Sequence, residues 1–209
     1  MRASFVAAIV LSVLSTSATG LAEEEGPMQF LWGQKSKAFI DPAGFWSAVL
    51  PAGFDCQTRA RHVECKGNRG ANALLTVDVV DVPASANADI AMLNQIDRFK
   101  EKPHFKLLGQ GNTQIDGSPA AVVTFSYDHL NNIELPVGVQ QLVFVRQGKL
   151  ILIHLECGLS HFSAYKADLE QLYRSFKPAR VDAGGNPILE DLKPSEDTAD
   201  VSKVMKGRY

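Results

Sequence analysis

Cysteine is scarce in this chain of 209 residues: there are three, at positions 56, 65 and 157. None has the Cys-x-x-Cys spacing typical of thiol redox centres and zinc ribbons, so no motif announces either chemistry. A charge excess is also missing, since 21 Lys and Arg stand against 23 Asp and Glu, a net of −2. Such a chain has no general attraction to nucleic acid or to anionic lipid. Beyond residue 22 no apolar run approaches the ~20 residues that a membrane-spanning helix needs. Catalytic motifs are equally thin. Gly158-Leu159-Ser160-His161-Phe162 lacks the second glycine of Gly-x-Ser-x-Gly, and Ser160 reads as a helix N-cap. Gly109-Gln110-Gly111-Asn112-Thr113-Gln114 lacks the third glycine of a phosphate cradle and opens a strand rather than a helix.

What is present begins with the N-terminus. Arg2, the apolar run Phe5–Leu14 and the small residues up to Ala22 have the layout of a secretory signal, with cleavage expected after Ala22. Residues 23–37 read as a flexible lead-in and 179–209, with Gly184-Gly185 and many charges, as a flexible polar tail. That leaves residues 38–178 as one domain of ordinary size. The expected location is the periplasm or the exterior, where disulfides persist.

Within the domain, the sequence predicts a first strand at 45–50 and a cysteine hairpin at 54–66. A period-2 strand follows at 73–82, with Leu75, Val77 and Val79 facing one way. Ile90, Leu93, Ile96 and Phe99 recur at helical spacing and predict an amphipathic helix at 88–101. Strands at 105–115 and 120–127 meet at Asp116-Gly117, a strong hairpin signal, and strands at 137–145 and 150–157 meet at Gln147-Gly148. Between the two hairpins, residues 128–136 read as a polar loop. A closing helix carries Phe162, Tyr165, Leu169, Leu172, Tyr173 and Phe176 on one face. Hairpins imply antiparallel pairing and two amphipathic helices must cover the sheet, which gives an α+β protein, an antiparallel sheet flanked by helices in an α/β/α sandwich.

The segments "GFWSAVLPAGF", "TQIDGSPAAVVTFSY" and "LILIHLECGLSHFSAYKADLEQLYRSFKP", the last with Ser175-Phe176 near its end, resemble the PsbP/Mog/DcrB-type superfamily over residues 38–178. The resemblance implies a PsbP-like antiparallel sheet between helices and a mainly non-catalytic role. No functional residue of the superfamily maps onto a position here, and the lipoprotein cysteine of many bacterial members is absent.

The site candidates follow from the residues alone. With Ala60-Arg61 as a two-residue turn, Cys56 and Cys65 lie directly opposite in a non-hydrogen-bonded pair, within disulfide reach. A structural disulfide is the reading, with free thiols and metal or redox chemistry as alternatives. Cys157 ends the inward set of its strand and reads as a buried small residue. Arg59, Arg61 and His62 make the hairpin locally basic, and Asp128, His129 and Glu134 occupy the polar loop; these six are the candidate binding residues. No catalytic residue, cofactor or metal ligand is assigned. His154, Glu156, Cys157 and His161 read as strand-end polarity rather than a metal site, because alternation puts His154 and Glu156 on one face and Cys157 on the other. The expected function is an exported, non-catalytic binding or assembly module with a protein or small apolar ligand in the envelope as partner. A carrier of lipid or small apolar ligands is one alternative. An envelope enzyme built from Asp128, His129, Glu134 and His154 is the other.

Overall fold

The computed structural model describes residues 36–67, 72–130 and 134–192. The signal-like segment and most of the lead-in lie outside the described residues. Seven strands form one antiparallel sheet: β3 (Phe54–Arg59), β4 (His62–Gly67), β5 (Leu74–Asp81), β6 (Lys106–Ile115), β7 (Ser118–Leu130), β8 (Glu134–Arg146) and β9 (Lys149–Gly158). Their spatial order is β3-β4-β5-β9-β8-β7-β6, so β3 and β6 are the edges. A smaller sheet, which the sequence did not foresee, joins β1 (Lys37–Ile40), β2 (Trp46–Leu50) and β10 (Lys177–Pro178). Helices α1 (Ala88–Phe99) and α2 (Lys166–Ser175) complete the fold.

Alternation along the central strands creates two cores, one on each face of the large sheet. On one face Leu142, Phe144, Ile151, Ile153 and Leu155 pack with Leu169, Leu172 and Phe176 of the α2 region and with Trp46 of the small sheet. On the other, Val123, Phe125, Val139 and Val143 pack with Met92 of α1. The expected α/β/α layering is therefore the one observed. Turn chemistry fixes the registers: Asp116-Gly117 adopts φ of +46° and +76°, and Gln147-Gly148 +49° and +73°, the left-handed pairs that two-residue hairpins require.

Several expectations change. Asn87 caps α1, its side chain accepting from the Ile90 amide at 2.8 Å. The buried stripe of α1 is not centred where helical spacing put it: Ile90 and Leu93 are 55% and 59% exposed, while Met92 is buried with Ala88, Ala91, Ile96 and Phe99 around it. Small Ala side chains let the helix approach the sheet more closely than Ile90 and Leu93 would. Ser160 caps nothing; Leu159–Tyr165 is a 3-10 turn with no side-chain cap, leading directly into α2. Its Phe162 lies against β8 where only glycine fits, a Cβ at Gly138 coming within 2.9 Å of the ring. The polar loop 128–136 largely dissolves into strands, Asp128 pairing with Pro136 and His129 with Leu135.

The expected tail starts too early. Ala179 is buried, Val181 bridges Pro187, and Leu192 is 1% exposed. Leu189 packs over Gly44, whose φ of +77° turns the chain into β2 and whose missing Cβ would sit 2.3 Å from the leucine methyl. That corner is also held by Asp41, buried, with its two carboxylate oxygens accepting the Ala43 and Phe45 amides. The contacts of 179–192 are single insertions into this corner rather than a periodic face, which is why the sequence pattern does not show them.

Candidate functional site

The cysteine hairpin has the expected register, Cys56 opposite Cys65 and Arg59 opposite His62. The two sulfurs stand at disulfide distance, with the α carbons 3.9 Å apart. Ala60 takes a left-handed backbone, φ +53°, unusual for a residue with a β carbon. The turn is anchored by its neighbour: Arg61 Nη1 binds Asp81 Oδ2 at 2.6 Å and the guanidinium lies 4.8 Å from the Phe45 ring centre. Lys149 binds the same aspartate and stands 5.2 Å from the same ring. These hydrogen bonds, that of Lys149 first, hold the Asp81 carboxyl below its usual range. His62 Nδ1 meets Asp78 Oδ1 at 2.6 Å, and Lys66 lies 3.4 Å from Glu64. The locally basic hairpin thus has acidic partners for Arg61, His62 and Lys66, while Arg59 ends β3 exposed.

The densest polar cluster is elsewhere, on the α1 face of the large sheet where α1 ends. Positions two apart put Tyr127 and His129 of β7, Gln141 of β8, and His154 and Glu156 of β9 on that face. Tyr127 Oη donates to Glu156 Oε2 at 2.7 Å, and His154 Nε2 lies 3.6 Å from the same oxygen. Gln141 is 1% exposed, with Nε2 2.9 Å from His154 Nδ1 and a buried Oε1 that has no hydrogen-bond partner among the described residues. The Phe99 ring stacks on the His154 ring at 6.1 Å, roofing the cluster. Lys102 Nζ stands 5.9 Å over Tyr127, and the His129 ring lies 6.4 Å from it. The loop after α1 is tied down by the Asp128 amide, which donates to Pro103 O, and by His104, which pairs with the Asp128 carboxylate.

Electrostatics fixes the ionisation of this cluster. Burial raises the Glu156 carboxyl, but hydrogen bonds from His154 and Tyr127 and the charges of His154 and His129 outweigh it, so the group is held low. Burial, then the carboxylate itself, pushes the Tyr127 hydroxyl well up. Glu156 is an ionised acceptor and Tyr127 a neutral donor. Because its folded value lies below the unfolded 4.5, Glu156 contributes stability that is full above the unfolded value and lost as pH falls through the folded one. Glu156→Gln is therefore expected to flatten the acid limb of a stability-versus-pH curve, and Tyr127→Phe to move that limb upward; acid limbs identical to wild type in both variants contradict the assignment. Cys157, buried on the opposite face, has its thiol pushed up to about 11 by burial and then by Glu156, so it is no thiolate nucleophile.

Of the six candidate residues, the structure brings His129 to this cluster, ties Asp128 to the loop after α1 through His104 and Pro103, and leaves Arg59, Arg61 and His62 on the far β3–β4 side. Glu134 opens β8 opposite Leu130, and its side chain lies outside the described residues. His154, weighed for metal and for catalysis, belongs to the cluster; His161 lies exposed beyond the end of β9. No three His, Cys, Asp or Glu side chains gather as a metal site would among the described residues. Sequence reading missed Phe99, Lys102, His104, Tyr127 and Gln141. Two grooves flank α1: one of about 360 Å³ against β6 and β7, lined by Met92, Leu93, Ile96 and Asn112, and one of about 510 Å³ near Ala84–Asp89, Pro119 and Gly148.

The fold is a PsbP/Mog1-like α+β fold, as the sequence motifs led one to expect. Over 69% of this chain and 96% of the other, it is similar to the Ran-binding protein Mog1p of Saccharomyces cerevisiae, with 13% identity and a TM-score of 0.53. LpqN, involved in cell envelope biogenesis of Mycobacterium tuberculosis, matches over 72% and 95% with 10% identity and a TM-score of 0.50. A cyanobacterial PsbP from Synechocystis matches over 68% and 91%, at 16% identity and a TM-score of 0.49. No protein-family model matches the sequence, and no curated protein does. At these identities the likeness defines the fold class alone.

Proposed function

We propose that this chain is a non-catalytic binding or assembly module whose partner-facing surface is the cluster at the end of α1. The observation that carries the reading is the commitment of the acid–base groups to one another. Glu156 is ionised and takes the Tyr127 hydroxyl, His154 is held between Gln141 and Glu156, and His104 is held by Asp128. General acid–base catalysis needs a group poised near working pH and free to reach substrate, and neither Glu156 nor Tyr127 is so poised. Around this network Lys102, His104 and His129 are exposed and Phe99 is half-buried, the mix of aromatic and cationic groups that protein interfaces favour. The Ran-binding Mog1p and the envelope protein LpqN lend precedent for binding and for the envelope on this fold.

Export is part of the proposal, supported by the signal-like residues 1–22 and the cysteine pair. Mass analysis of unreduced protein from the native host is expected to find an N-terminus at Glu23 and Cys56 joined to Cys65. An intact Met1 start with two alkylatable thiols at 56 and 65 overturns export. Turnover of an ester, peptide or glycoside substrate that disappears in Glu156→Gln overturns the non-catalytic reading.

A further inference from the structure

The two edges of the large sheet are built differently. β3 is six residues long, carries Asp55 and Arg59, and is clasped to its neighbour through Cys56 and Cys65. Charge and shortness are the usual guards of a sheet edge. β6 is ten residues long, and every residue from Lys106 to Gln114 is exposed. Between Lys106 and Asp116 it carries no charge and no proline, and its one irregularity, at Leu107/Gly109, leaves Gly109–Ile115 in regular pairing with β7. Among the described residues β6 is thus an open template of backbone donors and acceptors.

The edge complements itself. The two-residue turn at Asp116-Gly117 makes Ile115/Ser118 the hydrogen-bonded pair that closes the hairpin, so the backbone groups of Gln110, Asn112 and Gln114 point outward. Their side chains form a row of amides, each with both donor and acceptor atoms, which can bond to a like row. Behind them Gly109 and Gly111 face open space, a Cβ at either meeting nothing within 4 Å. Lys106 and Asp116 bracket the strand with opposite charges.

We propose that β6 pairs with β6 of a second copy of this chain, antiparallel and two-fold symmetric about Gly111, joining the two large sheets into one. That register sets Gln110 against Asn112 of the second copy in hydrogen-bonded pairs. It also puts ends of opposite charge together, the Lys106 end of one strand beside the Asp116 end of the other, where Asp116 is bound to Arg146. A foreign extended segment would satisfy the backbone but has no reason to match the amide row and both end charges together.

Sedimentation of the purified protein over a dilution series is expected to show a reversible monomer–dimer equilibrium. Asn112→Pro removes one outward N–H and no hydrogen bond to β7, so it is expected to keep the far-UV spectrum and melting temperature while the dimer mass is lost. Gly111→Lys, which has room for its side chain, sets two like charges opposite each other and is expected to do the same. A wild type that stays monomeric at its highest concentration, or folded variants that dimerise as wild type does, overturn the proposal.

Discussion

Replacing Trp46 with alanine is expected to destabilise the protein by about 3–5 kcal/mol, the range for deleting a large buried aromatic side chain. Trp46 is 1% exposed and sits where three layers meet. Its ring lies 5.1 Å from Phe176, nearly parallel, and 5.2 Å from Phe39. Its backbone pairs with Pro178 of β10, while one residue away Ser47 pairs with Lys177. Ser175 Oγ accepts the Val49 amide at 2.9 Å and donates to Leu172 O at 3.1 Å, stitching the end of α2 to β2. Losing the indole leaves a cavity that this over-tied corner cannot close. Urea unfolding should therefore show a midpoint shift with unchanged slope, and amide exchange should rise first in β2, β10 and α2. A loss below about 1 kcal/mol would mean that the small sheet is only loosely attached.

Phe125→Ala is expected to cost about as much, 3–5 kcal/mol by the same cavity argument, but on the other face. Phe125 is fully buried, with ring centres of Phe99 at 4.8 Å and Phe105 at 5.5 Å. Phe99 ends α1 and Phe105 immediately precedes β6, so the ring anchors the whole α1 connection. Its loss should raise amide exchange across Ala88–Phe99 and leave α2 protected, the reverse of Trp46→Ala. Because Phe99 also roofs His154, Phe125→Ala should disturb the polar cluster as well; exchange in α1 equal to wild type would contradict that anchoring role.

The two faces differ in how plainly the sequence shows them. Leu75, Val77 and Val79, and Ile151, Ile153 and Leu155, declare their strands because a period of two survives any error in where the strands pair. The helix α1 was legible as a helix but not in its orientation. Ile96 and Phe99 belong both to the stripe of large residues and to the stripe that actually packs, and Ala88 and Ala91 contribute closeness rather than bulk. The segment 179–192 was hidden because Leu189 and Leu192 act singly. The polar cluster required the register of β7 on β8 on β9: only that register sets Tyr127 near Glu156 and Gln141 opposite His154. Alternation alone had already placed His154 and Glu156 together, and His129 lies two residues beyond Tyr127 on the same strand. The acidic partners of the basic hairpin were hidden for the same reason, since Asp78 and Asp81 lie on a strand whose pairing with β4 and β9 decides whom they meet.

The claim that the end of α1 is the partner-facing surface is tested most directly by site-specific photo-crosslinking in the native host. A photoreactive residue at Lys102 is compared with one at Arg59, both exposed, the first just beyond the end of α1 and the second on the distant β3 edge. The expected result is a discrete adduct from position 102, absent from position 59 and lost when His154→Ala and Tyr127→Phe are combined in the same chain. Adducts from position 59 alone, or equal adducts from both that ignore the cluster substitutions, would contradict it.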